Sequence, residues 1–404
     1  MTIVMSLKVH EIEVLNFISS EEVVEFLQSL IQNRSDFPPG DCRLGIQAVA
    51  DKLKHAGVQF EIFTRQELQP NLLAAYPPDG NGNRLMFHAH IDTVPAGERE
   101  HWTYDPYAGE YFDGCIFGRG AGDDKSSVVA QVMAITALAR AGVQLDGCLQ
   151  VAIVSDEESG GLNGTKWLHD EGILTPDALI VGEQTDNQVA IAERVACGID
   201  LTVFGKSAHG AMPWAGENAV LKTAGALQWL RSNLFPHLQD RNHPYLPPPT
   251  LNIGTIQGGI QWSIVPERCR VEMDRRLLPG ETREAAVQEI QASLDEYSRQ
   301  VESLNFELYS SGEVANNINT PPDDPYVTRA NQTLSDLCGQ DRALTGYAQT
   351  SDGRWFANDD IPIIIFGPGK PEFAHAANEY VTMTQLIEAT QFLTLFAYRW
   401  LGRK

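Results

Sequence analysis

Two histidines and several acids stand where chemistry could use them. In Leu85-Met-Phe-His-Ala-His-Ile-Asp-Thr-Val-Pro95 the two-residue period of a strand puts His88, His90 and Asp92 on one face. His90 and Asp92 together offer a metal ligand and a carboxylate to hold its second ring nitrogen. Alone, that pair fits a structural histidine equally well, and His88 reads as a core residue or one behind the ligand. Gly118-Arg-Gly-Ala-Gly-Asp-Asp-Lys-Ser126 is a glycine-rich loop that closes on two acids before a helix. It lacks the glycine-and-lysine spacing of a phosphate-binding loop, and Asp123 and Asp124 occupy the place of the anion, so an aspartate aimed at a cation is the better reading.

The run Leu149-Gln-Val-Ala-Ile-Val-Ser-Asp-Glu-Glu-Ser-Gly-Gly161 carries a strand into three consecutive acids. Neighbouring strand residues face opposite sides, so Glu157 and Glu158 can share a site only where the chain leaves the strand. Such a cluster also fits a solvated loop. Another acid ends Leu179-Ile-Val-Gly-Glu183, and His375 lies in Pro368-Gly-Lys-Pro-Glu-Phe-Ala-His-Ala-Ala-Asn-Glu379. Imidazole nitrogens and carboxylate oxygens in this mixture suit zinc, or cobalt or manganese in its place, better than copper or an iron–sulfur cluster.

These residues need strands to deliver them. The pattern predicts helices over 20–33 and 43–56, strands over 58–64, 72–77 and 84–93, a helix over 126–141, a strand over 147–155, a helix over 164–170 and a strand over 178–182. Strands alternating with helices indicate a layered α/β domain with a mixed sheet, and its strand exits are where ligands gather. From 198 the order becomes strand 198–206, helix 217–232, strands 251–257 and 270–277, helix 281–303 and strand 305–310. This is a ferredoxin-like βαββαβ unit. The proline-rich segment 235–249 reads as a spacer loop. A helix over 324–337, a strand over 361–366 and a helix over 383–401 resume the first pattern, so the division expected is 1–196 and 313–404 for one domain and 197–312 for an inserted one.

At 404 residues, 43% of them hydrophobic and 21% charged, the chain reads as a soluble protein of two or three domains. No apolar run approaches the roughly 18–20 residues of a membrane span. Thirty Lys and Arg against 53 Asp and Glu give a net charge of −23, which repels nucleic acid. Six cysteines scattered singly, and an N-terminus broken by Lys8, His10, Glu11 and Glu13, make the cytoplasm the expected location.

In their order, and bracketing the inserted unit, Ala89-His-Ile-Asp92, Gly118-Arg-Gly-Ala-Gly-Asp-Asp-Lys125, Asp156-Glu-Glu158, Val181-Gly-Glu183, Gly205-Lys-Ser-Ala-His209 and Ala374-His-Ala-Ala-Asn-Glu379 resemble the zinc-dependent amidohydrolases that include aminoacylase, glutamate carboxypeptidase, acetylornithine deacetylase and succinyl-diaminopimelate desuccinylase. The resemblance spans residues 20 to 400. It implies two divalent metal ions, one held by His90 and Glu183, the other by Glu158 and His375, with Asp123 bridging both and a cis peptide joining Asp123 to Asp124. It further implies that Asp92 holds the His90 ring and that Glu157 is the general base for a bridging hydroxide. Two divalent ions would then face the three carboxylates Asp123, Glu158 and Glu183, and the hydroxide would bring the site to neutrality.

By the same resemblance His209 reaches into the partner subunit's site to stabilise an oxyanion, so a homodimer joined through the inserted dimerisation or lid domain is expected. Arg276 would bind a substrate carboxylate, with Arg275 on the other face. Thr350 and Arg354, in Thr350-Ser-Asp-Gly-Arg-Trp-Phe356, match the desuccinylase's substrate contacts. Two departures bear on substrate: Ser263 stands where the family carries Asn, and Ala348-Gln349 replaces paired glycines. The implied activity is deacylation of a small N-acyl amino acid or related carboxylate. An exopeptidase or dipeptidase on the same machinery is the alternative. A catalytically silent relative would lack a ligand or the base, and every one of these is present.

Overall fold

The computed structural model describes residues 7–78, 80, 82–312 and 315–402, and its contacts divide into two units: Met1–Ala192 with Ile318–Tyr347 and Ser351–Lys404, and Glu193–Asn317 with Ala348–Thr350. Residues 1–6 of the N-terminal segment read above, and the start of the expected division at 313, lie outside the described residues. Among the described residues no helix is long and apolar enough to cross a membrane.

The first unit is built on an eight-stranded mixed sheet in the order Gln59–Gln66, Gln69–Tyr76, Cys148–Val154, Arg84–His90, Ala178–Val181, Ile363–Ile365, Ala190–Glu193 and Thr345–Tyr347. The four central strands, Cys148–Val154 through Ile363–Ile365, are mutually parallel. Parallel strands are covered on both faces, which is why they read as continuous apolar runs such as Ile363-Ile-Ile365 rather than alternating ones. The helix Lys125–Arg140 is buried from Lys125 through Leu138, and its alanines and serines allow the sheet and the helix Met383–Leu401 to approach it. Ser19 and Thr382 cap their helices by accepting from the Glu22 and Gln385 amides.

Several elements were not expected. The helix Val9–Leu15, the strands Ala190–Glu193 and Thr345–Tyr347, and a small sheet of Tyr380–Thr382, Cys115–Phe117 and Glu110–Phe112 are each too short for a readable period. The strand expected over 84–93 stops at His90, and Asp92 lies beyond it. The small sheet matters for the site, because pairing Tyr380 with Phe117 lays the segment containing His375 beside the one containing Asp123.

The second unit has an antiparallel sheet in the order Thr250–Gly258, Arg268–Leu277, Val195–Phe204 and Asn305–Ser311. Together with the helices Ala219–Asn233 and Arg283–Gln300, it realises the βαββαβ order. Cys269, Val271, Met273, Arg275 and Leu277 are buried along one face of their strand, Val271, Met273 and Leu277 packing with Leu230, Ile290 and Leu294, while Arg276 lies on the opposite face. Within the proline-rich spacer, Phe235–Gln239 forms a short helix. Pro236 sits in its first turn, where the missing N–H has no intrahelical partner to lose.

Candidate active site

The acids and histidines collect at the C-terminal ends of the four parallel strands, the end where α/β sheets place ligands. His90 ends its strand, Glu183 lies two residues past Val181, and His375 follows Ile363–Ile365 with φ 60°. After Val154 the chain reverses through Asp156 at φ 72°, the turn Glu157–Ser159 and Gly160 at φ 115°, so the two adjacent glutamates leave the strand before they diverge. The Asp92 carboxylate accepts from the Glu157 amide at 3.2 Å and the Glu158 amide at 3.1 Å, fixing that turn. His90 Nδ1 lies 3.1 Å from the Asp92 carbonyl oxygen and 3.6 Å from its carboxylate, so Asp92 holds the ring chiefly through its backbone. His88 turns elsewhere, with Nε2 2.8 Å from the Thr165 hydroxyl.

Ligand atoms of His90, Asp123 and Glu183 form one group and those of Asp123, Glu158 and His375 a second; within each group the atoms lie within 4.8 Å of one another. Asp123 belongs to both, its Oδ1 3.1 Å from His90 Nε2 and its Oδ2 3.2 Å from His375 Nε2. The peptide between Asp123 and Asp124 is cis. All five residues singled out from the sequence therefore meet. Glu157 stands at the same turn, with its Oε1 3.2 Å from the Arg354 guanidinium.

The charge balance shows what this cluster fits. Burial, then repulsion from Asp123, pushes the Glu183 and Glu158 carboxyls above the ordinary range. Burial raises Glu157 to about 8 despite Arg354. His375 is pushed up to about 10 by its bonds to Asp123 and Glu158. Burial works against the charged form of His90, yet the bonds to Asp123 and Asp92 outweigh it and raise the ring's pKa well above its usual value. Clustered carboxylates with only two imidazoles between them gain from added positive charge, and nitrogen and oxygen donors grouped this closely suit divalent cations.

Some supporting contacts carried no readable signal. Glu379 Oε1 accepts from the Gly122 and Asp123 amides at 2.8 and 2.9 Å, while its other oxygen pairs with the buried Arg119 guanidinium. One carboxylate thus clamps the His375 segment to the Asp123 loop. Tyr347 places its hydroxyl 2.8 Å from Glu183 Oε2. Arg354 bonds Glu157, the Gly160 carbonyl and Asp352.

In the second unit, His209 is exposed, and its Nδ1 accepts from the Ala211 amide at 3.1 Å, which leaves Nε2 to carry the proton of the neutral ring. Arg276 donates to Asp274 at 3.0 Å and to the Thr350 hydroxyl at 3.2 Å. Thr350 was expected as a substrate contact. Its hydroxyl already donates to the Arg194 carbonyl and accepts from the Ala196 amide, so it braces Arg276. Arg194, missed in the sequence, lies close enough to Arg276 that burial and their mutual repulsion lower its pKa. Arg275 is buried against Glu281, as its place in the strand implied.

A fold with ligands at parallel strand exits, interrupted by a βαββαβ unit, defines a class of metallohydrolase. Residues 86–399 match the model of peptidase family M20/M25/M40, and the chain belongs to that family. Among its relatives, the succinyl-diaminopimelate desuccinylase of Bordetella petrii is 32% identical over 382 residues, covering 90% of this chain and 94% of the relative. That of Coxiella burnetii is 26% identical over 383 residues, covering 91% and 96%. A tripeptidase from Staphylococcus aureus superposes with a TM-score of 0.77 at 20% identity over 94% of this chain and 98% of its own. A Bacillus subtilis protein described as a dinuclear metal binding peptidase of the M20 family superposes at 0.67 and 15%, over 94% and 99%.

Proposed function

We propose that the chain is a two-metal deacylase that hydrolyses the amide bond of a small N-acyl amino acid or related carboxylate. The observation that carries this reading is the pair of ligand groups sharing Asp123, with Glu157 at the same turn as Glu158. His90 and Glu183 would hold one ion, Glu158 and His375 the other, and Asp123 both. Zinc is the favoured metal, with cobalt or manganese able to replace it. When bound, a divalent pair polarises an amide carbonyl and makes water a stronger nucleophile.

The chain supplies the rest. Glu157 takes a proton from the attacking water at its carboxylate and passes it to the leaving nitrogen, with Arg354 and the Asp92-fixed turn keeping that carboxylate in place. Arg276, braced by Asp274 and Thr350, offers a planar donor to a substrate carboxylate, and Arg194 beside it favours a second negative charge, as a dicarboxylic acyl group carries. His209 Nε2–H would donate to the developing oxyanion from the partner subunit, so the inserted unit, read as 197–312 from the sequence, serves as dimerisation and lid domain. Six cysteines, all free, accord with a cytoplasmic location.

The test is amine release from N-acetyl, N-formyl and N-succinyl amino acids and from free dipeptides, using metal-analysed protein. Metal-dependent cleavage of N-acyl substrates, strongest for the succinyl series, is expected. Cleavage of dipeptides alone would replace the deacylase reading with the exopeptidase one, and cleavage that survives complete metal removal would overturn both.

A further inference from the structure

Tyr347 lies on the edge strand Thr345–Tyr347 and is 4% exposed. A buried phenol must place its hydroxyl against a partner. Here the oxygen is 2.8 Å from Glu183 Oε2 and 2.6 Å from Gln184 Oε1. One hydroxyl proton cannot serve both acceptors, and the buried Gln184 Nε2 has no partner. Turning the Gln184 amide resolves the first difficulty. Its N–H then donates to the tyrosine oxygen, and the tyrosine proton goes to Glu183, giving a directed chain from Gln184 through Tyr347 to the carboxylate. Glu183 sits in only one of the two ligand groups, with His90 and Asp123.

We propose that Tyr347, with Gln184 behind it, is a positioning residue that orients Glu183 and thereby sets the affinity of one of the two metal positions. This rests on the two-metal reading above. A carboxylate rotating freely about its last bond presents its oxygens to an ion only part of the time; one oxygen held by Tyr347 leaves the other aimed. The tyrosine stands just before Ala348-Gln349, one of the departures noted from the sequence.

The experiment is a chelator-competition titration of zinc into the metal-free full chain, comparing the parent, Tyr347→Phe, Glu183→Gln and the double variant, with thermal unfolding of each. The parent should bind two ions. Tyr347→Phe, which removes only the hydroxyl, should weaken one binding step by about ten- to a hundredfold, the range found when partners of metal ligands are removed. The other step should change far less, and the unfolding midpoint should stay near that of the parent. Added to Glu183→Gln, the phenylalanine should have little further effect, because the group it orients is already altered. Two unchanged steps in Tyr347→Phe would overturn the inference. So would equal weakening of both steps together with a lowered midpoint, which is what lost packing alone produces. A parent chain that binds no zinc would instead overturn the two-metal reading itself.

Discussion

In the proposed mechanism, Glu157 separates proton transfer from metal binding more cleanly than any neighbour. Its carboxylate stands beside both ligand groups yet belongs to neither, and it faces Arg354. Replacing it with Gln keeps shape and hydrogen-bonding reach but removes the basic oxygen. Turnover should fall by about a hundred- to ten-thousandfold, the range supplied by general acid–base catalysis, with metal content near that of the parent by elemental analysis. Retained turnover would remove Glu157 from proton transfer, and lost metal would make it a ligand. Strand exits made His90, Glu158, Glu183 and His375, and an aspartate before the helix at Lys125, candidates, but each motif alone fitted a structural or solvated residue as well; the ligand set came from the order of motifs shared with the family. The partners that Arg194, Arg354, Tyr347 and Glu379 find could not be read, because they lie far off in sequence. Which backbone groups Thr350 satisfies depends on a register that one sequence does not state.

Between elements, the same contrast holds, and it can be tested through two buried charges. Glu379 joins the strand Tyr380–Thr382 to the Asp123 loop through Arg119, and burial raises its carboxyl to about 7 against the pull of that arginine. Glu379→Ala leaves a buried guanidinium without its carboxylate and two amides unsatisfied, so urea unfolding should show a loss of about 3–5 kcal/mol, partly recovered by pairing Glu379→Leu with Arg119→Met. No recovery would mean that the clamp on the backbone, rather than the ion pair, holds these loops. Further from the site, Glu22 of the helix Ser20–Gln32 reaches Arg140 at 2.7 Å and Lys52 at 3.0 Å, tying three helices. The bond from Arg140 leads in lowering its carboxyl from 4.5 to about 2, burial opposing. A depressed folded pKa stabilises fully above the unfolded value, and that contribution fades as pH falls from 4.5 toward about 2. The stability gap between the parent and Glu22→Gln should therefore narrow as acid is added; a gap that stays constant would assign the effect to packing. The long helices that carry these pairs were predicted within a few residues, since a run of helical residues is a local pattern. The three-residue strands were not, since only tertiary pairing defines them.

Across the whole molecule, the βαββαβ order could be read from the sequence, but the surface of that unit could not. Trp262 is 94% exposed, Ile260 89% and Trp214 79%, with Leu221 and Ile256 also exposed on the same unit. Apolar side chains in such number are what an association surface presents. If a second copy covers them, light scattering should give twice the mass of the chain, and Trp262→Glu with Ile260→Asp should give a monomer. The sharper test asks which subunit's His209 serves a given site. His209→Ala and Glu157→Gln should each be inactive as pure dimers. If His209 acts across the dimer, a mixed dimer holds one site with both defects and one with neither. Random exchange makes about half the dimers mixed, so activity should return to about a quarter of the parent's. If His209 serves its own subunit, every site in a mixed dimer keeps one defect, and mixing restores nothing. Recovery therefore depends on geometry alone, whatever the substrate, and its absence despite demonstrated exchange would place the oxyanion donor within one chain.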